Sequence, residues 1–359
     1  MKNSPTVAKK DPLGIQPAPS CGDLLPNYGD ADRRQRVEAV VPFFKTNYIE
    51  HKPQTDVVEQ LLAYLASMQP LLGGPIDGRG LSEYHNAGKS RTIEHLVRTA
   101  AERRAEAGLP PNPYQIIVFE LDKTTSVHAF YRRILLELDD EHWNDPRSKL
   151  DELEERILHL SRKLGVEGLV GDEVQHLDRK STDATQVTDR FKTFLNRGIL
   201  PLILVGDEDA EKFFAKNPKF ASRLGMPLEL KPLNVRKQAS DRKLFLDFCN
   251  ELDASMVKRG IVDQPAGLGK IGMRFQLSEV SGGHVGRVCR LVCEATQHAL
   301  WRGAPAVERH DLSVATRGFA RRLGWTRRDP FSTMAAPITR VPHPNNDGDT
   351  IVKQVSESA

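Results

Sequence analysis

Apolar residues recur at three- and four-residue steps through Val37, Val40, Val41 and Phe44, and again through Val57, Val58, Leu61, Leu62, Tyr64 and Leu65. That spacing lines one face of a helix and predicts helical structure over residues 34–70, ended by the Gly/Pro stretch Gly73–Gly78. A further helix from Lys89 to about Ala107 carries Ile93, Leu96, Val97 and Ala100 on one face, and Pro110-Pro111-Asn112-Pro113 breaks it. The period then shortens. Tyr114–Leu121 has the length and apolar continuity of a buried strand. Helices are expected at about 126–138 and, charged and amphipathic, at 147–164, before a short strand at Gly168–Gly171. A helix at about 183–197 leads into Ile199–Gly206, the most apolar run of the chain, and Leu228–Leu230 reads as a last strand.

Strands separated by helices predict an α/β fold, a parallel sheet with helices on both faces. From about 236 to 323 the pattern is helical apart from a gap near Val262–Gly272, which predicts a separate helical lid. Residues 1–33 are rich in Pro, Gly and Asp and lack periodicity, and 326–359 carry Pro, Asn and Asp runs. Both are expected to be flexible, as a leading arm and a trailing tail.

Bulk composition narrows this little. A length of 359 residues with 39% hydrophobic content suffices for one large and one smaller domain. The net charge is only +3, so a nucleic-acid surface has to be a local patch. Cys21, Cys249, Cys289 and Cys293 show no disulfide framework, which fits a reducing cytoplasm. Cys289, Cys293 and His298 fall short of a compact tetrahedral metal set, and small side chains buried along a helix account for the cysteines. No uncharged apolar run approaches the ~20 residues that span a bilayer, and no apolar segment follows Met1-Lys2-Asn3-Ser4-Pro5 to make a secretory signal.

The candidate chemistry lies at strand ends. Phosphate binding needs inward backbone N–H groups, a cation and a helix N-terminus aimed at the anion. His85-Asn86-Ala87-Gly88-Lys89-Ser90-Arg91 supplies such a loop. Gly88 allows close backbone approach, Lys89 would meet the β/γ-phosphate oxygens, and the Ser90 hydroxyl would ligate Mg²⁺. Glu83 stands where the usual motif has glycine, and a carboxylate there repels phosphate unless it points away. Arg79-Gly80-Leu81-Ser82 is a weak preceding strand. About 80 residues on, Asp172-Glu173 follows a short apolar strand; Asp172 would hold Mg²⁺ and Glu173 would polarise the attacking water. Taken alone, each motif has an ordinary counterpart, a plain helix start or a solvated acidic turn. Asp207, after the next strand, either senses the γ-phosphate or is a turn residue without a role. Arg223, before the last strand, either reaches a neighbouring subunit as an arginine finger, a device contributing ~10³–10⁵ in rate, or is a surface arginine in a local salt bridge.

Together these residues resemble AAA+ ATPases and, more narrowly, the TniB/TnsC family of transposition regulators, over roughly residues 34–325. Asp172-Glu173-Val174-Gln175-His176-Leu177 is written as that family writes its acidic motif, and Gly88-Lys89-Ser90-Arg91-Thr92-Ile93-Glu94 is similar. Leu204-Val205-Gly206 and Ala221-Ser222-Arg223-Leu224 match the sensor-1 and arginine-finger regions in order and spacing. Gly282-Gly283-His284-Val285-Gly286-Arg287 resembles the entry into the sensor-2 helix; Gly286 occupies the usual arginine position, so either Arg287 or Arg290 substitutes or the sensor is absent.

The resemblance implies an AAA+ P-loop nucleotide-binding domain over 34–235, with its helical lead-in, and a helical lid over 236–325. It implies ATP and Mg²⁺ as cofactors and a slow, assembly-dependent ATPase. It further implies rings or a helical filament of this chain on double-stranded DNA, working with a DDE transposase and a target-selection protein. Lys123-Thr124-Thr125 fall where the family places DNA-contacting loops, although a helix cap explains the threonines equally. Arg317, Arg321, Arg322, Arg327 and Arg328 form a basic cluster that suits DNA, a partner or plain solvation. Two other functions remain open: a replication initiator or clamp-loader-like ATPase, and a non-hydrolysing nucleotide-gated scaffold.

Overall fold

The computed structural model describes residues 31–83, 88–121, 126–179, 181–216, 218–332, 340–342 and 349–351. Strands β1 (Arg79–Glu83), β2 (Ile116–Glu120), β3 (Gly168–Asp172), β4 (Leu202–Gly206) and β5 (Leu228–Leu230) make one parallel sheet in the order β2-β3-β4-β1-β5. Ser82 pairs with Gly206 and Gly171 with Leu204, so the carboxyl ends of β1, β3 and β4 share one edge. That edge is where an open α/β sheet presents ligands.

Residues alternate between two covered faces, as a period of two requires. Val170, Ile203 and Val205 face α2 (Lys52–Met68) and α3 (Lys89–Glu106), against Val58, Leu61 and Leu96. Leu169, Leu202 and Leu204 face the opposite layer of α4 (Val127–Glu137), α5 (Leu150–Leu164), α6 (Ser181–Asn196), α7 (Glu208–Lys216) and the short α8 (Pro218–Ala221). There Phe130 sets its ring edge-on to Phe119, Phe191 and Phe194 at centroid distances of 5.7, 4.7 and 5.9 Å, a favoured aromatic arrangement. Glu154, 1% exposed, accepts hydrogen bonds from Tyr131 and Arg197 and thereby joins α4 and α5 to the residue that follows α6. Local chemistry sets helix ends: Ser126 Oγ accepts from Ala129 N–H to start α4, and Gly165 at φ +66° ends α5.

The weak strand is interior. β1 lacks a β-branched run, yet β4 and β5 both pair with it, and Leu81 is fully buried. Gly80 is there for space, since a Cβ would meet the Phe214 ring at 3.3 Å.

The remaining helices form a second core. Helices α9 (Ala239–Lys258), α10 (Ile271–Ser281), α11 (Val285–Trp301) and α12 (Arg309–Ala315), with a π-helical turn at Thr316–Ala320, bury Phe245, Leu252, Phe275, Leu291 and Val292. Helix α1 (Ala31–Thr46) packs into this core through Val37, Val40 and Phe43, whereas α2 belongs to the sheet layer. The helical lead-in therefore divides between the two bodies, and α1 begins inside the stretch expected to be a flexible arm. In the α9–α10 gap, the Asp253 carboxylate accepts from the N–H groups of Ala266, Gly267 and Leu268 at 2.7, 2.7 and 3.1 Å.

The start of the expected flexible tail is packed too. Phe331 is 1% exposed in the helical core, and Arg309 donates to the carbonyls of Phe331 and Pro330 at 2.9 and 3.1 Å. Burying a phenyl ring anchors the segment as far as Ser332, which composition alone did not foretell. Further on, β6 (Arg340–Pro342) and β7 (Asp349–Ile351) form an antiparallel pair. No helix among the described residues is long and apolar enough to cross a membrane.

Candidate functional site

A cavity of about 730 Å³ opens at the carboxyl edge of the sheet, within the range of small-molecule sites. One end is polar: Glu83 from β1, Gly88, Lys89, Ser90 and Arg91 from the start of α3, Glu173 after β3 and Asp207 after β4. The other is largely apolar, with Val41 and Phe44 from α1, Tyr48 and Ile49 from the α1–α2 connection, Phe248 from α9, and Val285 and Cys289 from α11. The helical core thus forms one wall of a site whose floor is the sheet.

Gly88 is the N-cap of α3 at φ +128°, a backbone state that L side chains rarely adopt. Lys89 follows, and its ammonium pairs with Asp172 at 2.8 Å and with Glu173. Burial pulls the lysine pKa down, but the two carboxylates outweigh it and hold it above its ordinary value. Burial likewise pushes Glu173 up, and Lys89 more than reverses that, so its carboxyl sits below the usual range. The sheet has therefore brought the loop lysine and the acidic pair into one ion-paired cluster.

Glu173 is held in a strained backbone conformation, φ +62°, which costs a non-glycine residue about 1–2 kcal/mol. Asp172 Oδ1 accepts from its N–H at 2.7 Å, which offsets part of that strain. Gln175 donates to Glu173 and accepts from Asp207 N–H at 3.3 Å, linking the ends of β3 and β4. Sequence reading quoted Gln175 inside the acidic motif without giving it this positioning role.

The other expected residues fall as follows. Ser90 is exposed and lines the cavity. Arg91 also lines it, but its guanidinium donates to the carbonyls of Phe44, at 3.1 Å, and Lys45, capping the end of α1. Asp207 lines the cavity while its Oδ1 accepts from Asp209 N–H at 2.9 Å, so it also opens α7. Arg223 is not among the lining residues; its guanidinium lies 3.6 Å from Asp77, and 39% of its side chain is exposed. His85, Asn86 and Ala87, with the DNA-contact candidates Lys123, Thr124 and Thr125, lie outside the described residues.

Arg287 does not line the cavity. It sits over the Trp325 ring at 5.5 Å, whereas Arg290 lines the cavity with Gly286, Cys289 and Cys293. Helical spacing explains the choice: positions 286, 289, 290 and 293 of α11 share one stripe, and 287 lies off it. Replacing Arg290 by alanine is expected to weaken nucleoside triphosphate binding by about 10–100-fold, the scale of one charge-assisted hydrogen bond. Arg287→Ala should leave affinity within about twofold and instead lower thermal stability by roughly 1 kcal/mol, the scale of a cation–π contact. Calorimetric titration beside thermal melts separates the two, and equal losses of affinity would overturn the assignment.

Sequence reading missed the apolar wall and Gln54, whose Nε2 donates to Thr92 Oγ1 at 3.0 Å and braces the first turns of α3 against α2. The only signal for Gln54 was a polar residue on the buried face of an apolar helix. Cys289 and Cys293 are wall residues, His298 pairs with Asp311 at 2.6 Å, and no metal-binding group of three or more such side chains occurs among the described residues.

The model of the Bacterial TniB protein family matches residues 46–235, more than half of the chain. The chain belongs to the TniB family. The match begins where α1 ends and closes after β5, so it contains the whole sheet and the polar half of the cavity. No curated protein matches this TniB-family chain. Among solved structures, the Aeropyrum pernix ORC2 protein in its ADPNP and ADP complexes is 14% identical, covers 77% of this chain and 70% of its own, and superposes with a TM-score of 0.56. The Aeropyrum pernix ORC1 protein in complex with DNA is 15% identical over 79% and 69%, with a TM-score of 0.54. Cdc6p from Pyrobaculum aerophilum is 13% identical over 78% and 70%, also at 0.54. At such identities the likeness establishes the fold, and this TniB-family chain has the AAA+ P-loop architecture.

Proposed function

We propose that this TniB-family protein is an ATP-dependent, DNA-binding regulator of transposition. It assembles on target DNA as rings or a helical filament and presents that DNA to a DDE transposase, with a target-selection protein choosing the place. One observation carries the nucleotide part: Lys89, Glu173 and Asp207 line one end of a cavity whose other end is largely apolar, and Asp172 pairs with Lys89 there. That division matches a triphosphate at one end and a purine at the other.

The residues fit magnesium-bound ATP. The Lys89 ammonium, engaged by two carboxylates, is the group an incoming phosphate would take over. Ser90 and Asp172 would hold Mg²⁺, which neutralises charge developing on the phosphate oxygens. Glu173, kept deprotonated by Lys89, would orient and polarise the attacking water, and Asp207 would report the γ-phosphate through that water. Arg290 takes the place given to Arg287 as the lid's contact with the nucleotide. Arg223, on the surface outside the cavity, would complete the site of a neighbouring copy.

DNA contacts are assigned to Lys123, Thr124 and Thr125, and the exposed Arg321, Arg322, Arg327 and Arg328 offer a second anionic contact surface. Binding would be mainly to phosphates and hence salt-sensitive. Family membership favours transposition over replication initiation, because the likeness to the ORC and Cdc6 proteins is one of fold.

Electron microscopy of the full chain with duplex DNA and a slowly hydrolysed ATP analogue tests the assembly. Rings or filaments are expected. Particles that remain monomeric with every nucleotide, with or without DNA, would overturn it.

A further inference from the structure

The departure from the phosphate-loop pattern, Glu83, is built into the site. It is the last residue of β1, opposite Leu230 of β5, and leads into the loop that ends at Gly88 and Lys89. Its side chain is 1% exposed, it lines the cavity, and among the described residues no donor is in hydrogen-bonding geometry with either carboxyl oxygen, although the Thr92 hydroxyl lies near enough to favour the carboxylate. A buried, unpartnered carboxylate is among the most costly groups a fold can hold. As a neutral acid it costs far less, and it then carries one O–H donor in search of an acceptor. The ligand assigned to this cavity brings acceptors, the phosphate oxygens.

We propose that Glu83 is a nucleotide-binding residue that enters the complex as the neutral acid and donates a hydrogen bond to a phosphate oxygen, so that triphosphate binding takes up a proton. The role rests on the nucleotide reading given above. It resolves the conflict posed by the sequence, because a carboxylate repels phosphate whereas a carboxylic acid binds it. In the free protein, burial already raises the Glu83 pKa to about 7, against the opposing pull of Thr92 and Lys89. A phosphate brought alongside raises it further, since a neighbouring anion disfavours the charged form.

The charges around it work in both directions. Lys89 on α3 favours the carboxylate, while Asp172, beyond β4 in the sheet, opposes it. Asp207 after β4 adds negative charge to the same cavity, and Arg290 from α11 adds positive charge. Lys45 from α1 and Arg91 from α3 add positive charge to the cavity, and Glu94 from α3 and Glu294 from α11 add negative charge; His51, at the N-cap of α2, is kept neutral by burial, Gln54 is neutral, and β5 contributes the apolar Leu230. Glu173 loses Lys89 when phosphate arrives, which raises its own pKa, so proton uptake is assigned to Glu83 by the difference between wild type and Glu83→Gln and not by the total.

The test is calorimetric titration of the full chain with a non-hydrolysable ATP analogue and Mg²⁺ at pH 8, in two buffers of different ionisation enthalpy. The wild-type protein is expected to take up close to one proton more than Glu83→Gln, and its affinity should fall by up to ~10-fold per pH unit above pH 7. Glu83→Gln keeps a neutral donor, so it should bind within about threefold of wild type at pH 7 with a flatter pH profile. Glu83→Gly, which restores the usual loop residue, should lose the same proton and serves if the glutamine variant fails to fold. Equal proton uptake and equal pH slopes in wild type and either variant would overturn the role of Glu83 while leaving nucleotide binding intact. Wild-type protein that binds no nucleotide at any pH would overturn the nucleotide reading and this one with it.

Discussion

Replacing Lys89 by alanine is expected to weaken ATP binding by about 100-fold or more, roughly 3 kcal/mol, the upper scale of a hydrogen bond to a charged group. Lys89 is the cation that pairs with Asp172 and Glu173 in the described cavity, on the first turn of α3, where the helix N-terminus already favours anions. Without it, a triphosphate would face Asp172, Glu173 and Asp207 with only more distant positive charge. The variant should also be less stable at neutral pH. Glu173 has a depressed pKa in the folded protein, so its stabilisation is present above the unfolded value and lost as pH falls through the folded one. Removing Lys89 removes that contribution, and the protein's acid-side loss of stability should become shallower. Titration calorimetry, with circular dichroism to check folding, measures both. Affinity within a few-fold of wild type would remove Lys89 from the site.

Glu173→Gln is expected to lower turnover by ~10²–10⁴-fold, the usual contribution of a general base, while ATP affinity holds or rises. The amide keeps the shape of the side chain but cannot accept a proton from water. It also takes negative charge away from the phosphates, which is why affinity should not fall. The strain at φ +62° is common to both side chains, so the variant separates chemistry from folding. Phosphate release measured with and without duplex DNA is the readout. Unchanged turnover in both conditions would mean that Glu173 is not the base. Wild-type protein that binds ATP and never turns it over, even when assembled on DNA, would favour the nucleotide-gated scaffold.

The motifs with local chemistry were legible from the chain. Gly88-Lys89-Ser90 reads as a helix start whatever surrounds it, and Asp172-Glu173 reads as the polar end of an apolar run. β5 was placed at its observed residues, and the helical gap after α9 was foreseen, because each has a length and periodicity of its own. β1 was hard to see for the opposite reason. Its five residues have weak strand propensity, and they are extended because β4 and β5 pair with them on both sides. Arg287 and Arg290 were indistinguishable until the direction of the cavity relative to α11 was known.

Sequence alone determined strands β2 to β5 and the helices between β2 and β4, the phosphate-loop and acidic motifs, and the family they resemble, because those signals are carried by neighbouring residues. Tertiary structure decided that α1 joins the helical core and closes the apolar wall, that Arg290 rather than Arg287 faces the cavity, and that Glu83 is buried in the cavity wall with no donor in hydrogen-bonding geometry among the described residues. Those outcomes depend on which distant surfaces meet. Burial and charge pairing between residues far apart in the chain are set by the packed arrangement, and no local spacing encodes them.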